Sequence, residues 1–255
     1  MSWEAFAIRF ATAPRAAHRC FLAGEDEGMR TIAFHMALLR GPGGWVAMDT
    51  AQNADQCARA KRGFLRPVED AFAALGCDPA TVGHVIQTHL HADHAGQPHL
   101  FPAARFHLQA RELAYVNGPV KRHAVLRAGY DADDIAAMEA LVQQGRVDLH
   151  NGNAEPLPGL ELYHVGGHTD GLQIVRLRTA KGWLVLATDS VALRDNLEQR
   201  RPFPAVYHVG DALDAFDTVL RLADAPELVI AGHDPRTTDA PAALPGSEGW
   251  IARLA

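Results

Sequence analysis

The chain has little of what would make a disulfide scaffold, a membrane protein or a nucleic-acid binder. Its three cysteines, Cys20, Cys57 and Cys77, are odd in number and widely spaced, so they offer neither a disulfide framework nor a CxxC metal pair. Reduced thiols in a cytoplasmic protein are the reading they favour. No run approaches the ~18–20 apolar residues of a membrane span. The opening stretch MSWEAFAIRFATAPRAAHRC is interrupted by Glu4, Arg9 and Arg15, where a signal peptide needs an unbroken apolar core. Adjacent basic residues occur only as isolated pairs, Lys61-Arg62, Lys121-Arg122 and Arg200-Arg201, in a chain of net charge −6. A nucleic-acid-binding face would concentrate them. There is no low-complexity tract, no short repeat and no composition break that would mark a linker. What is present is an ordinary globular mixture, 48% hydrophobic and 21% charged over 255 residues, long enough for one large core.

Strand and helix signals alternate along the whole length. Residues 29–50 read as strand, turn, strand around Gly41-Pro42-Gly43-Gly44. Val68, Phe72 and Leu75 share one helix face, with Pro67 starting or kinking that part and Gly76 as a C-terminal cap. TVGHVIQTH and ARFHLQ are short strands, and DADDIAAMEALVQQG is a helix with acids in its first turn and Gly145 at its end. LELYHV, LQIVRLRT and WLVLATD follow as three strands, GDALDAFDTVLRLADA as an amphipathic helix, and ELVIAG as a last strand. The pattern predicts one α/β domain over 1–255: an αββα sandwich of two mixed β-sheets flanked by helices, with a helical insertion near 110–150 over the site.

Chemistry concentrates in THLHADHAG, residues 88–96, where His89, His91, Asp93 and His94 fall within six positions. Three further ligand-type residues sit where strands end: His168 in VGGHTDG, Asp189 in LVLATDS and His233 in LVIAGHD. A lone His or Asp is usually a surface or satisfied polar group; four strand tips each delivering such residues form a site. Imidazole nitrogen and carboxylate oxygen are suitable donors to zinc. His89 and His91 can converge on one ion with His168, while Asp93 and His94 serve a second with His233. Asp189 can bridge them with its two oxygens, as hydrolytic centres with ions ~3.5–4 Å apart require. His18, His84, His99, His107, His150 and His164 show no partner pattern and read as structural or surface residues.

The HxHxDH motif followed in order by His, Asp and His resembles the metallo-β-lactamase-fold hydrolases over roughly residues 32–236. Within them it looks most like the N-acyl-homoserine lactonase group, with GHTDG, DNLEQRRPFPAV and ELVIAGHDP as softer support. The resemblance implies two divalent ions, zinc by preference because all three motif histidines are present. It implies opening of a lactone by a metal-bridging hydroxide, with Asp189 and Asp93 catalytic and Asp93 orienting the hydroxide or carrying its proton. Quorum quenching, through hydrolysis of an N-acyl-homoserine lactone, is the role it suggests. Asp49 matches that fold's early strand-end aspartate and is expected to orient a ligand histidine. One position departs: Ala192 stands where those lactonases carry a tyrosine, and Tyr207 and His208 are the candidates to face substrate instead.

Other functions fit the same ligands. Thioester hydrolysis of the glyoxalase II type, or another small-ester or amide hydrolysis, uses nearly the same set. A glutathione thioesterase would also want basic residues grouped near the site, and none stands out in the sequence. A binding protein with a structural metal is the non-enzymatic alternative, although such sites are usually closed, four-coordinate and often cysteine-rich. The expected partner is a small lactone or ester, not nucleic acid or membrane, and scattered N-terminal apolar residues are candidates for a homodimer interface.

Overall fold

A computed structural model describes residues 2–239, 244–247 and 249–255. Its strands are β1 (Glu4–Ala16), β2 (Met29–Gly41), β3 (Gly44–Met48), β4 (Gly63–Phe64), β5 (His84–Ile86), β6 (Arg105–Gln109), β7 (Val147–His150), β8 (Ala154–Leu157), β9 (Leu160–His164), β10 (Gln173–Thr179), β11 (Gly182–Thr188), β12 (Val229–Ala231) and β13 (Ile251–Arg253). They form two mixed sheets. The first runs β13-β1-β2-β3-β5-β6-β7, with β4 paired to β1; the second runs β12-β11-β10-β9-β8. β3, β5, β6 and β7 are parallel neighbours, as are β11 and β12, so the ends of β5, β11 and β12 can present loops to one edge.

The sheets pack face to face. Ala5, Ala7, Leu39, Val46 and Ile86 of the first meet Leu162, Val175, Leu177, Leu184 and Leu186 of the second in one buried cluster. Each sheet's other face is covered by helices, among them the short α1 (Ala54–Arg59), whose Cys57 joins the cluster on the first, and α7 (Arg194–Glu198), whose Leu197 joins that on the second. α2 (Val68–Leu75) and α6 (Ala132–Gln143) contribute Phe72 and Met138 to the cluster on the first. α8 (Val209–Leu222) sets Phe216 and Val219 against Val185 and Ala187 on the second. β11 is therefore buried on both faces, which is why its sequence is a continuous apolar run. The expected αββα sandwich is the observed one.

The helix signals fell where the chain turns. Pro67 precedes α2, and Gly76 ends it with φ 67°, a left-handed cap that glycine adopts without penalty. Asp131 caps α6, its side chain accepting from the Asp133 N–H. Between β6 and β7 lie α4 (Ala110–Asn117), α5 (Ala124–Arg127) and α6. The last residues of the 110–150 segment are not helical; 147–150 rejoin the sheet as β7, parallel to β6.

The N-terminal segment differs from its expected role. Its apolar residues lie inside the first sheet, where β1 pairs with both β2 and β13 and Ala5, Phe6, Ile8 and Phe10 are buried. They are core, and no dimer interface is built from them. Among the described residues, no helix is long and apolar enough to cross a membrane.

Candidate metal centre

Four strand ends deliver the seven ligand-type residues. β5 runs into the loop carrying His89 and His91 and then into the single turn α3 (Ala92–Ala95), which holds Asp93 and His94. His168 follows β9, Asp189 follows β11, and His233 follows β12. The backbone is bent sharply at these tips. Asp49, Ala51 and Thr188 have φ of 64°, 55° and 44°, a region costly for residues with a Cβ and kept where the surroundings enforce it. A Cβ on Gly232 would lie 2.6 Å from the Thr188 carbonyl oxygen. Glycine there lets β12 close on β11, so that His233 reaches Asp189.

All seven side chains converge. The ligand atoms form three overlapping groups, His89/His91/His168, Asp93/His94/His233 and His89/His94/Asp189, each within 4.8 Å. Nδ1 of His91 lies 3.1 Å from Nε2 of His89 and 2.8 Å from Nε2 of His168. Asp189 stands between the first two groups: Oδ2 is 3.2 Å from Nε2 of both His168 and His233, and Oδ1 is 3.2 Å from Nε2 of His94.

The far side of most rings is anchored, which fixes orientation and leaves the inner nitrogen to act as a ligand. Nδ1 of His94 is 2.7 Å from Asp49 Oδ2, Nδ1 of His233 is 2.8 Å from the Ala33 carbonyl, Nδ1 of His168 faces the Ala205 carbonyl, and Nδ1 of His89 is 3.1 Å from Thr88 Oγ1. Asp49 also accepts from the Thr88 N–H at 2.8 Å. His91 is turned the other way, with Nδ1 inward. A Cβ on Gly129 would lie 2.4 Å from its ring, so the position needs glycine.

The electrostatics call for a cation. Burial pushes the His89 and His91 imidazoles down, His91 to about 3, so both remain neutral donors. Burial also opposes charge on His94, yet Asp189, Asp49 and Asp93 together raise its pKa well above the ordinary range. Burial would raise the Asp93 pKa, but Arg62 and His94 outweigh it and hold the carboxyl well below its usual value. Nε2 of His94 is buried without a sound hydrogen bond, although carboxylate oxygens of Asp189 and Asp93 lie at 3.2 and 3.4 Å. A nitrogen with Nδ1 already committed and oxygens on its other side is placed to share a positive ion with them. The residues present therefore fit divalent metal.

The site opens into a cavity of about 310 Å³ lined by His91, Asp93, His168, Asp189 and His233. Its walls include Ile32, Phe34, Tyr115, Leu126, Phe203 and Val206. Ala192 is buried and outside the lining; its carbonyl accepts from the His233 N–H at 2.8 Å. Tyr207 and His208 are not brought to the cavity. Tyr207 is 41% exposed and packs on Tyr115 with ring centroids 4.8 Å apart, and His208 caps α8 through Nδ1, accepting from the Asp211 N–H.

Three features had no signal in the sequence. Tyr115 is the only tyrosine lining this cavity among the described residues. Glu112 is fully buried and accepts from Leu90 N, Gly171 N, Thr169 Oγ1 and the Tyr130 hydroxyl, tying the two histidine loops to the helical segment. Basic residues do group at the site: Arg15 and Arg62 both line the cavity, brought from strand and loop positions far apart in sequence.

Comparison with known proteins agrees with this architecture. The model of the metallo-beta-lactamase superfamily matches residues 36–233. An N-acyl homoserine lactonase from a Bacillus species is 29% identical over 168 residues, covering 63% of this chain and 59% of that protein. The N-acyl homoserine lactonase AttM of Rhizobium radiobacter is 28% identical over 221 residues, 78% of this chain and 80% of that one. The crystal structure of a quorum-quenching N-acyl homoserine lactone lactonase superposes with a TM-score of 0.77 at 20% identity, covering 96% of this chain and 98% of that one, and so shares the fold. The chain spans about three fifths of the length of the Bacillus relative. It belongs to the metallo-beta-lactamase superfamily.

Proposed function

We propose that this member of the superfamily is a two-metal hydrolase that opens a lactone ring, with zinc the ion best matched to its nitrogen and carboxylate donors. The observation that carries the reading is the convergence of two three-residue donor groups on Asp189 beside an open cavity. The lactonase names of the relatives support the choice of ester. His89, His91 and His168 would hold one ion, Asp93, His94 and His233 the other, and Asp189 both. Bound there, such ions supply a water ionised near neutral pH and polarisation of the substrate carbonyl.

The chain's own groups do the rest. Asp93, with Arg62 Nη2 3.2 Å from its Oδ1, is kept ionised and suited to accept a hydrogen bond from the attacking water and orient it. That pairing favours orientation over proton carriage. Asp49 keeps His94 in register. Tyr115 is the phenol best placed to stand in for the tyrosine absent at Ala192, and burial raises its pKa to about 12, so it enters as a hydrogen-bond donor. Phe34, Phe203 and Leu126 exclude bulk water from the reacting centre. The three cysteines are free and buried, which supports a cytoplasmic location.

The test is a panel run on zinc-loaded protein: short- and long-chain acyl-homoserine lactones, simple γ- and δ-lactones, and a glutathione thioester. Ring opening of lactones is expected. Turnover of the thioester alone would replace this reading with a glyoxalase II type of activity, and full metal content with no turnover would replace it with a binding protein.

A further inference from the structure

We infer that the substrate carries a carboxylate and that the Arg15 guanidinium receives it at the wall of the metal cavity. This rests on the lactone-opening reading and narrows it to a class of substrate.

Arg15 lies near the end of β1, is half-buried, and lines the same cavity as His91, Asp93, His168, Asp189 and His233. Its guanidinium carbon sits 5.1 Å from the centre of the Phe203 ring, an aromatic contact that restrains the side chain. Among the described residues it makes no ion pair and no side-chain hydrogen bond. Of the arginines near it, Arg19 is exposed and lies outside the cavity lining, and the others are engaged. Arg62 donates to Gln52 Oε1 at 2.6 Å, pairs with Asp93 at 3.2 Å and lies 4.0 Å from the Phe34 ring centre. Arg30 pairs with Asp195 at 2.7 Å and Arg201 with Asp26 at 2.6 Å.

Arg15 is thus a cation with no paired anion in a partly desolvated wall; burial, Arg19 and Arg62 disfavour its charge, and Asp93 and Cys20 offset only part of that. An anion that enters and leaves with substrate relieves that cost. The planar fork of N–H groups matches a carboxylate in bidentate fashion. One free guanidinium in the cavity wall balances one negative charge, which favours a carboxylate over a phosphate dianion. A cavity of about 310 Å³ is at the small end for ligand sites. The geometry points to a compact lactone bearing a carboxylate. A neutral acyl-homoserine lactone offers Arg15 no such partner.

The test compares γ-butyrolactone-γ-carboxylate with its primary carboxamide, a neutral analogue of nearly the same shape, on the metal-loaded protein. The wild-type kcat/KM should favour the carboxylate by at least about tenfold, chiefly through KM. Arg15→Met should bring that ratio down to about one, and Arg15→Lys, which keeps charge but loses the fork, should retain part of it. A wild-type ratio near one, or a ratio unchanged in Arg15→Met, overturns the inference. Calorimetric binding of the ring-opened product, 2-hydroxyglutarate, reads the same contact without turnover. Arg15→Met should weaken it at least fivefold, with Arg15→Lys between, and equal affinity in all three proteins overturns the inference. If neither lactone is opened, the wider panel above decides the hydrolase reading separately, and the binding comparison still decides the role of Arg15.

Discussion

Asp49 holds Nδ1 of His94 at 2.7 Å, and so turns the opposite nitrogen of that ring toward Asp93 and Asp189. The carboxylate is itself fixed by the backbone N–H and hydroxyl of Thr88, the residue just before the histidine motif. One buried aspartate on the strand-end loop after β3 therefore sets the orientation of a ring on a different loop. Asp49→Asn should weaken binding of the more loosely held metal equivalent about 10–100-fold, the usual cost of losing such an outer partner. Competition with a chromogenic chelator measures it, and unchanged affinity would show that the ring is oriented by other contacts.

Glu112 joins parts of the site that the chain brings together only on folding. Glu112→Ala would leave the N–H groups of Leu90 and Gly171 and the hydroxyls of Thr169 and Tyr130 without this acceptor. Each buried orphan costs about 1–3 kcal/mol before relaxation. A net loss of about 3 kcal/mol or more is expected from chemical denaturation. A loss below about 1 kcal/mol would mean that water reaches the network.

Tyr115→Phe tests the hydroxyl assigned to the carbonyl oxygen. The ring stays, so packing against Tyr130 and Tyr207 is kept. A fall in kcat of about tenfold or more is expected, in line with the loss of one donor to the developing oxyanion. Wild-type kcat on the best lactone would remove Tyr115 from the reaction.

Asp134 gives a pH signature that is independent of the metal site. It is buried, Oδ2 has no hydrogen-bond partner, and burial, with Asp131 and Asp133 adding to it, pushes its pKa up to about 7. In the unfolded chain it titrates near 3.8. Between these values the folded state binds the extra proton, so stability falls as pH rises from about 4 to about 7 and the penalty is complete above that. Asp134→Asn removes the penalty. Its Tm should exceed that of the wild type clearly at pH 8 and little at pH 4, and an equal difference at both would rule out this titration.

The candidate metal centre was legible in the sequence because its ligand-type residues follow short strands, and β11, buried on both faces, advertises itself as an apolar run, although β9 before His168 is only partly buried. The layer order was legible for the same reason in β10 and β11. β1 was not. Ala5, Phe6, Ala7 and Ile8 are buried in succession, so both faces of the strand are covered, no period-two alternation marks it, and Glu4, Arg9 and Arg15 interrupt the run. β7 and β8 were missed as short strands that are only partly buried. Arg15, Arg62, Tyr115 and Glu112 belong to no local motif, and only the folding of β1 and the β6–β7 connection onto the histidine loops gives them a role.

Asp189→Ala bears most directly on the two-ion centre, since this carboxylate stands 3.2 Å from three histidines on three different loops. Metal content by elemental analysis and lactone turnover should be measured on the same preparation, beside wild type. The variant should retain less than two ions per chain and lose most of its activity. Two ions retained with full turnover would contradict a centre built on a shared Asp189.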